Sequence, residues 1–213
     1  STDFEQIKGI SNVPTATLLP SCDGDVHDLQ ASMSFDNNRF ALQHDNAAKH
    51  QIIVRGANHN FYNTIWHDDD YPLSENNVPN TSYCTASRAQ SIRQTEDQQR
   101  NMGRFLINSF LRFYVGDEQQ FKAYWNGVGQ LPSSSCANGD DSCDERALLT
   151  LQKQGSKVIQ RFESSNATAV NLLGGLNRFA GFNLNGIIAC KSFLGSKDAN
   201  LSSKCSSSTV PFY

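Results

Sequence analysis

The chain has 213 residues, with 18 basic side chains against 21 acidic ones and a net charge of -3. So mild and evenly scattered a balance leaves no electrostatic footprint for nucleic acid or a membrane surface. The length supports one sizeable core, or two small ones, without dependence on staples, and no apolar run approaches the roughly 18 residues a membrane span requires.

The first residues, "STDFEQIKG", carry neither the charged n-region nor the apolar h-region of a signal peptide, so the chain reads as a mature, soluble one. Residues 15–19, "TATLL", are a short β-prone run closed by Pro20, and "SCDGDVHD" behind them is a turn-forming acidic loop. From 28 to about 43, Leu29, Met33, Phe40 and Ala41 recur near helical spacing, which predicts a helix. "HQIIVRG" at 50–56 is a second strand, and its three consecutive branched residues call for burial on both faces, as in a parallel sheet. Strand, loop, helix, strand is the βαβ grammar of an α/β protein.

A polar stretch rich in Asp, Asn, Pro and Ser follows from about 63 to 95, a length typical of functional covers or of disordered segments. "TEDQ" at 95–98 has the form of a capping box, and Met102, Phe105, Leu106, Phe110 and Phe113 mark an amphipathic helix stopping near Gly116. The Phe105, Phe110 and Phe113 stripe reads as core. A shorter helix over 118–125 is expected to pack on the sheet beside it. Composition then changes: 129–144 reads as a Ser, Asn and Asp-rich linker after a first domain of residues 1–128. The short segments of 145–213, separated by Gly, Asn and Ser, read as a small β-rich extension.

Six cysteines, Cys22, Cys84, Cys136, Cys143, Cys190 and Cys205, include no CxxC pair and no histidine at zinc-ligand spacing. Disulfides and an oxidising compartment, secreted or periplasmic, are therefore expected rather than a metal. Local pairing of Cys136 with Cys143 and of Cys190 with Cys205 would leave Cys22 for Cys84. Sequons at Asn80, Asn166 and Asn200 are compatible with a secreted chain.

Both predicted strands lead, at their carboxyl ends, into loops with titratable residues, the place where open α/β sheets gather their ligand groups. The first loop offers Asp23, Asp25, His27 and Asp28; the second offers His59 in "RGANHNFYN". An acid followed one βαβ unit later by a histidine is the order in which α/β-hydrolases present the last two members of a Ser, Asp, His triad.

"LLPSCDGDVHDLQ" followed by "HQIIVRGANHNFYNTIW" resembles the acid-loop and histidine-loop segments of secreted bacterial α/β-hydrolases of the esterase, lipase and dienelactone-hydrolase kind. The resemblance covers about residues 10–125. It implies an α/β fold in which βαβ and the following helices form the carboxyl-terminal part of a hydrolase sheet, with Asp23 as triad acid and His59 as general base. Pro20 departs from the glycine usual in that pattern, and Asp25 stands close enough to compete for the acid role. No Gly-x-Ser-x-Gly elbow occurs, and "GISNV" at 9–13 lacks the second glycine, the strand before and the helix after. The implied protein is a serine hydrolase of ester or related acyl bonds, on small or polymeric substrates, inactive until joined by a nucleophile-bearing amino-terminal half.

The aromatics Phe61, Tyr62 and Trp66 after His59 are candidates for an acyl or aromatic pocket, and equally for staples of the loop. His27, His44, His50 and His67 read as surface residues. "HDDDY" at 67–71 lacks the spacing and glycine of a calcium loop and reads as a solvated acidic loop, as does "NGDDSCDE" at 138–145. No metal or cofactor is expected. The rival to a hydrolase is a non-catalytic secreted binding protein on the same scaffold, its β-rich tail attached to carbohydrate or to another partner.

Overall fold

The computed structural model describes residues 10–26, 45–71, 83–86, 91–135, 146–153 and 173–178, six positions between 29 and 38, and the single positions 89, 155, 156, 159, 170 and 171. The chain divides into two compact units, Ser1–Gln154 and Gly155–Tyr213. Among the described residues no helix is long and apolar enough to cross a membrane.

The first unit is a mixed α/β structure. β1 (Thr15–Pro20) and β2 (Lys49–Val54) pair in parallel, Thr15 opposite Lys49 and Pro20 opposite Val54. In the connection between them, Ser32, Ser34, Phe35 and Asn38 are helical, whereas Leu29 has a φ of 52° and stands in a turn ahead of them. Met33, Phe40 and Ala41 lie outside the described residues.

β3 (Ala147–Gln152) lies antiparallel on the other side of β2, giving the order β1-β2-β3. Its residues belong to the stretch that composition assigns to the extension. "ALLTLQ" begins with alternating half-buried and exposed residues, the pattern of an edge strand with one covered face. The acidic, serine-rich segment before it hides that continuity from a reading of composition. Leu131, inside the expected linker, is likewise buried in the core.

β2 is central and covered on both faces, as its branched run predicts. Against it packs α1 (Glu96–Tyr114), which opens on a full capping box between Thr95 and Gln98 and carries Glu96 and Asp97 in its first turn, where the helix dipole favours negative charge. Its buried face contains Met102, Gly103, Leu106 and Ser109. Gly103 is needed at close quarters, since a Cβ there would come within 2.9 Å of the Tyr62 ring. The expected 118–125 helix is a single 3-10 turn, Gln119–Phe121, running into the four-residue α2 (Lys122–Trp125). Ile52, Val54, Met102, Leu106, Trp125 and Leu131 form the core, with Phe105, Phe110 and Phe113 packed against it. Trp125 is 1% exposed, and its Nε1–H donates to Ser109 Oγ at 3.1 Å.

His50 overturns the expectation of a surface residue: it is fully buried. As the second residue of the central strand it points into an aromatic box of Phe110, Tyr114 and Trp125. Its Nδ1 lies 3.2 Å from Thr15 O, and its Nε2 lies 3.1 Å from Trp125 O and 3.2 Å from Tyr114 Oη. Desolvation lowers its pKa, against the two carbonyl contacts that favour the charged ring. His67, by contrast, is exposed and paired with Glu96, while His27 and His44 lie outside the described residues.

In the second unit, Val170 and Leu176 form an antiparallel bridge around a tight turn. Asn171 Oδ1 accepts the Leu173 and Gly175 amides, and Gly174 supplies the positive φ of 80° the turn requires.

Two outcomes follow from this packing. Trp125→Ala should destabilise the chain by about 3–5 kcal/mol in urea unfolding, and a loss below about 1 kcal/mol would contradict the packing. Below the ordinary imidazole value of 6.5, the unfolded state takes up a proton that buried His50 resists, so stability falls with pH from there down to the lowered folded value. Unfolding curves across that range should show this slope in the natural chain and a shallower one in His50→Gln; equal slopes would reject the assignment.

Candidate active site

The parallel register brings the two strand-end loops together. Past the strands, Ser21 N donates to Val54 O at 3.0 Å and Cys22 N to Ala57 O at 2.8 Å, while Gly56 N donates to Ser21 Oγ at 2.9 Å. The acid loop is also tied by the Cys22–Cys84 disulfide, Cα to Cα 5.4 Å. The expected partners Cys136, Cys143, Cys190 and Cys205 lie outside the described residues.

Asp23 and His59 meet at this junction, with His59 Nδ1 3.2 Å from Asp23 Oδ2. The carboxylate is 4% exposed and the imidazole 33%. Asp23 Oδ1 accepts the backbone amides of Asp25 and Val26 at 2.9 and 2.7 Å, so the Asp-Gly pair forms an Asx-type turn while its second oxygen faces the histidine. Burial raises the Asp23 pKa; the Val26 and Asp25 amides and His59 oppose the rise. The structure separates the two candidate acids: Asp25 is exposed and contributes its amide, whereas Asp23 contributes the side chain.

The histidine loop is held from below. Asn58, fully buried, donates its amide to Gln99 Oε1 at 2.9 Å and accepts Gln99 Nε2 on its carbonyl at 2.7 Å. Its side chain donates to Asp69 and accepts the Phe61 amide. Gly56, with φ 77°, lies so close to Ile92 O that a Cβ would fall 1.8 Å from it. His59 itself opens a 3-10 turn, Asn60–Tyr62. Its ring stacks on Trp66, centroids 6.2 Å apart and planes 23° from parallel. Among the described residues His59 Nε2 has no hydrogen bond.

Beside the pair is a cavity of about 270 Å³, lined on its apolar side by Leu18, Leu19, Val26 and Leu29 and on its polar side by Asp23, His59 and Tyr62. Of the three aromatics singled out from the sequence, Tyr62 belongs to this lining and Trp66 to the histidine's exposed flank, while Phe61 is not part of the cavity wall. The Tyr62 hydroxyl is buried without a hydrogen-bond partner among the described residues, and burial together with the Asp23 charge raises its pKa. No group of three or more His, Cys, Asp or Glu among the described residues is placed to hold a metal.

"HDDDY" corrects a second expectation. Asp69 and Asp70 are not a solvated run: Asp70 is 6% exposed, and Asp69 pairs with Arg93, whose other nitrogen donates to Cys22 O at 3.3 Å. Gln99, Arg93 and Asp70 are neighbours of the two loops that pattern reading misses. Nothing in residue spacing distinguishes a buried aspartate from its solvated neighbour in a run of three.

No family model matches the chain, and no curated protein or solved structure matches it either.

Proposed function

We propose that this chain supplies the acid and the base of a serine hydrolase acting on ester or related acyl bonds, with Asp23 and His59 as two members of a Ser, His, Asp triad. The observation that carries the reading is the contact between a buried, amide-held carboxylate and one ring nitrogen of a histidine whose other nitrogen has no hydrogen bond among the described residues. With the proton on Nδ1 directed at Asp23, Nε2 is left as the basic lone pair that removes a serine proton as the hydroxyl attacks an acyl carbon. The imidazolium formed in that step gains from a carboxylate 3.2 Å away in a poorly solvated setting. The same imidazolium then returns its proton to the departing alcohol.

The sequence holds no Gly-x-Ser-x-Gly elbow, and on this reading the nucleophile comes from a polypeptide segment outside these residues that completes the sheet. The apolar wall of Leu18, Leu19, Val26 and Leu29 suits the acyl or aromatic portion of an ester. The Cys22–Cys84 bridge supports an oxidising, extracytoplasmic setting.

In the protein encoded by the complete reading frame, His59→Ala should lower kcat for a short p-nitrophenyl ester by about 10⁴-fold or more. Turnover equal to that of the natural enzyme would reject the assignment. A complete protein that also fails to react with a fluorophosphonate would point instead to a binding role for the scaffold.

A further inference from the structure

We infer that Asp70 is the positioning residue of the Asp23–His59 pair, a carboxylate clamp that sets the separation of acid and base without touching substrate. The inference rests on the hydrolase reading above for its functional meaning, and on three hydrogen bonds for its geometry. Asp70 Oδ2 accepts the Gly24 amide at 2.6 Å, so one oxygen holds the residue next to the acid. Asp70 Oδ1 accepts the His59 and Asn60 amides at 3.1 and 3.2 Å, so the other oxygen holds the base itself. A single buried side chain thus bridges two loops that lie a whole βαβ unit apart in the chain.

The chemistry of the clamp requires a carboxylate. All three partners are N–H donors, and only an ionised acid offers acceptor sites on both oxygens. Such charge-assisted bonds are shorter and stronger than neutral ones, and burial of an aspartate is tolerated when its lone pairs are filled in this way. Asparagine at this position keeps one acceptor for the His59 and Asn60 amides but turns an NH₂ group toward the Gly24 amide, donor against donor. It releases the acid loop while leaving the histidine loop held.

Gly24 provides a second, independent line. A Cβ at that position would lie 2.0 Å from Asp70 O and 2.6 Å from its carbonyl carbon, so the glycine of "CDGD" is the residue that lets the acid loop reach the clamp. Any side chain there pushes the two segments apart. The Asp-Gly pair therefore serves two ends: Asp23 orients the imidazole, and Gly24 permits the approach that fixes where Asp23 stands. Partners outside a catalytic group that fix its orientation act on rate through geometry, and displacement by about 1 Å is enough to cost about 10²-fold.

The test separates the clamp from the hydrolase reading. In proton NMR of this chain, the hydrogen-bonded Nδ1 proton of His59 should give a downfield resonance that Asp23→Asn abolishes. Asp70→Asn and Gly24→Ala should each abolish or markedly broaden it while the dispersed amide spectrum of the core is kept. In the complete enzyme, Asp70→Asn should lower kcat by about 10²-fold with KM unchanged. A downfield proton that persists in folded Asp70→Asn, its absence from the unsubstituted chain, or an unchanged kcat would overturn the inference. Failure of the hydrolase reading shows separately, as full turnover in His59→Ala, and leaves the resonance result standing.

Discussion

The parallel pairing of β1 with β2 is the constraint on which the rest of the site depends. Its register sets Pro20 opposite Val54, and the ladder continues past the strands through Ser21 and Cys22. Two loops far apart in sequence therefore leave the sheet side by side at its carboxyl edge. Because strand side chains alternate between faces, a slip of one residue would turn the slipped strand's side chains to the opposite face and offset one loop from the other. The pairing of Asp23 with His59 is in that sense a property of the sheet before it is a property of either loop.

What the sheet brings near, buried polar groups then fix. Asp23, Asn58, Asp70 and Gln99 are all nearly or wholly withdrawn from solvent. Each would be costly to bury if unpaired, at about 1–3 kcal/mol per unsatisfied group. The costs are offset reciprocally: Gln99 and Asn58 exchange two bonds, Asp23 takes two loop amides, and Asp70 takes three. Satisfied networks of this kind rigidify, because loss of one partner leaves the others stranded in low dielectric. α1 enters the site through Gln99, so the same helix that closes the core with Met102 and Leu106 also anchors the histidine loop.

Much of the scaffold was legible in the sequence. "QIIV" reads as a strand buried on both faces, "TEDQ" opens a helix, and both features are present. The strand-end logic brought Asp23 and His59 into one hypothesis and left Asp25 as a competing acid; in the structure Asp25 is exposed and Asp23 is turned toward the histidine. His50 was misread because histidine is usually exposed, and only a central strand with aromatic neighbours and carbonyl partners reverses that preference. β3 was obscured by the polar segment in front of it, and antiparallel partners a hundred residues away leave no periodic trace. The aspartate run was the hardest, since burial of Asp70 depends on amides supplied by two other loops, and a one-dimensional pattern does not record them.

The central claim is that Asp23 holds His59 with one ring nitrogen occupied and the other basic. Nitrogen-15 chemical shifts of the His59 ring, measured at a pH where the imidazole is neutral, report the tautomer directly. The account predicts the proton on Nδ1 and a bare Nε2 in the natural chain. A proton resting on Nε2 would place the lone pair toward the carboxylate and contradict the role assigned to this histidine.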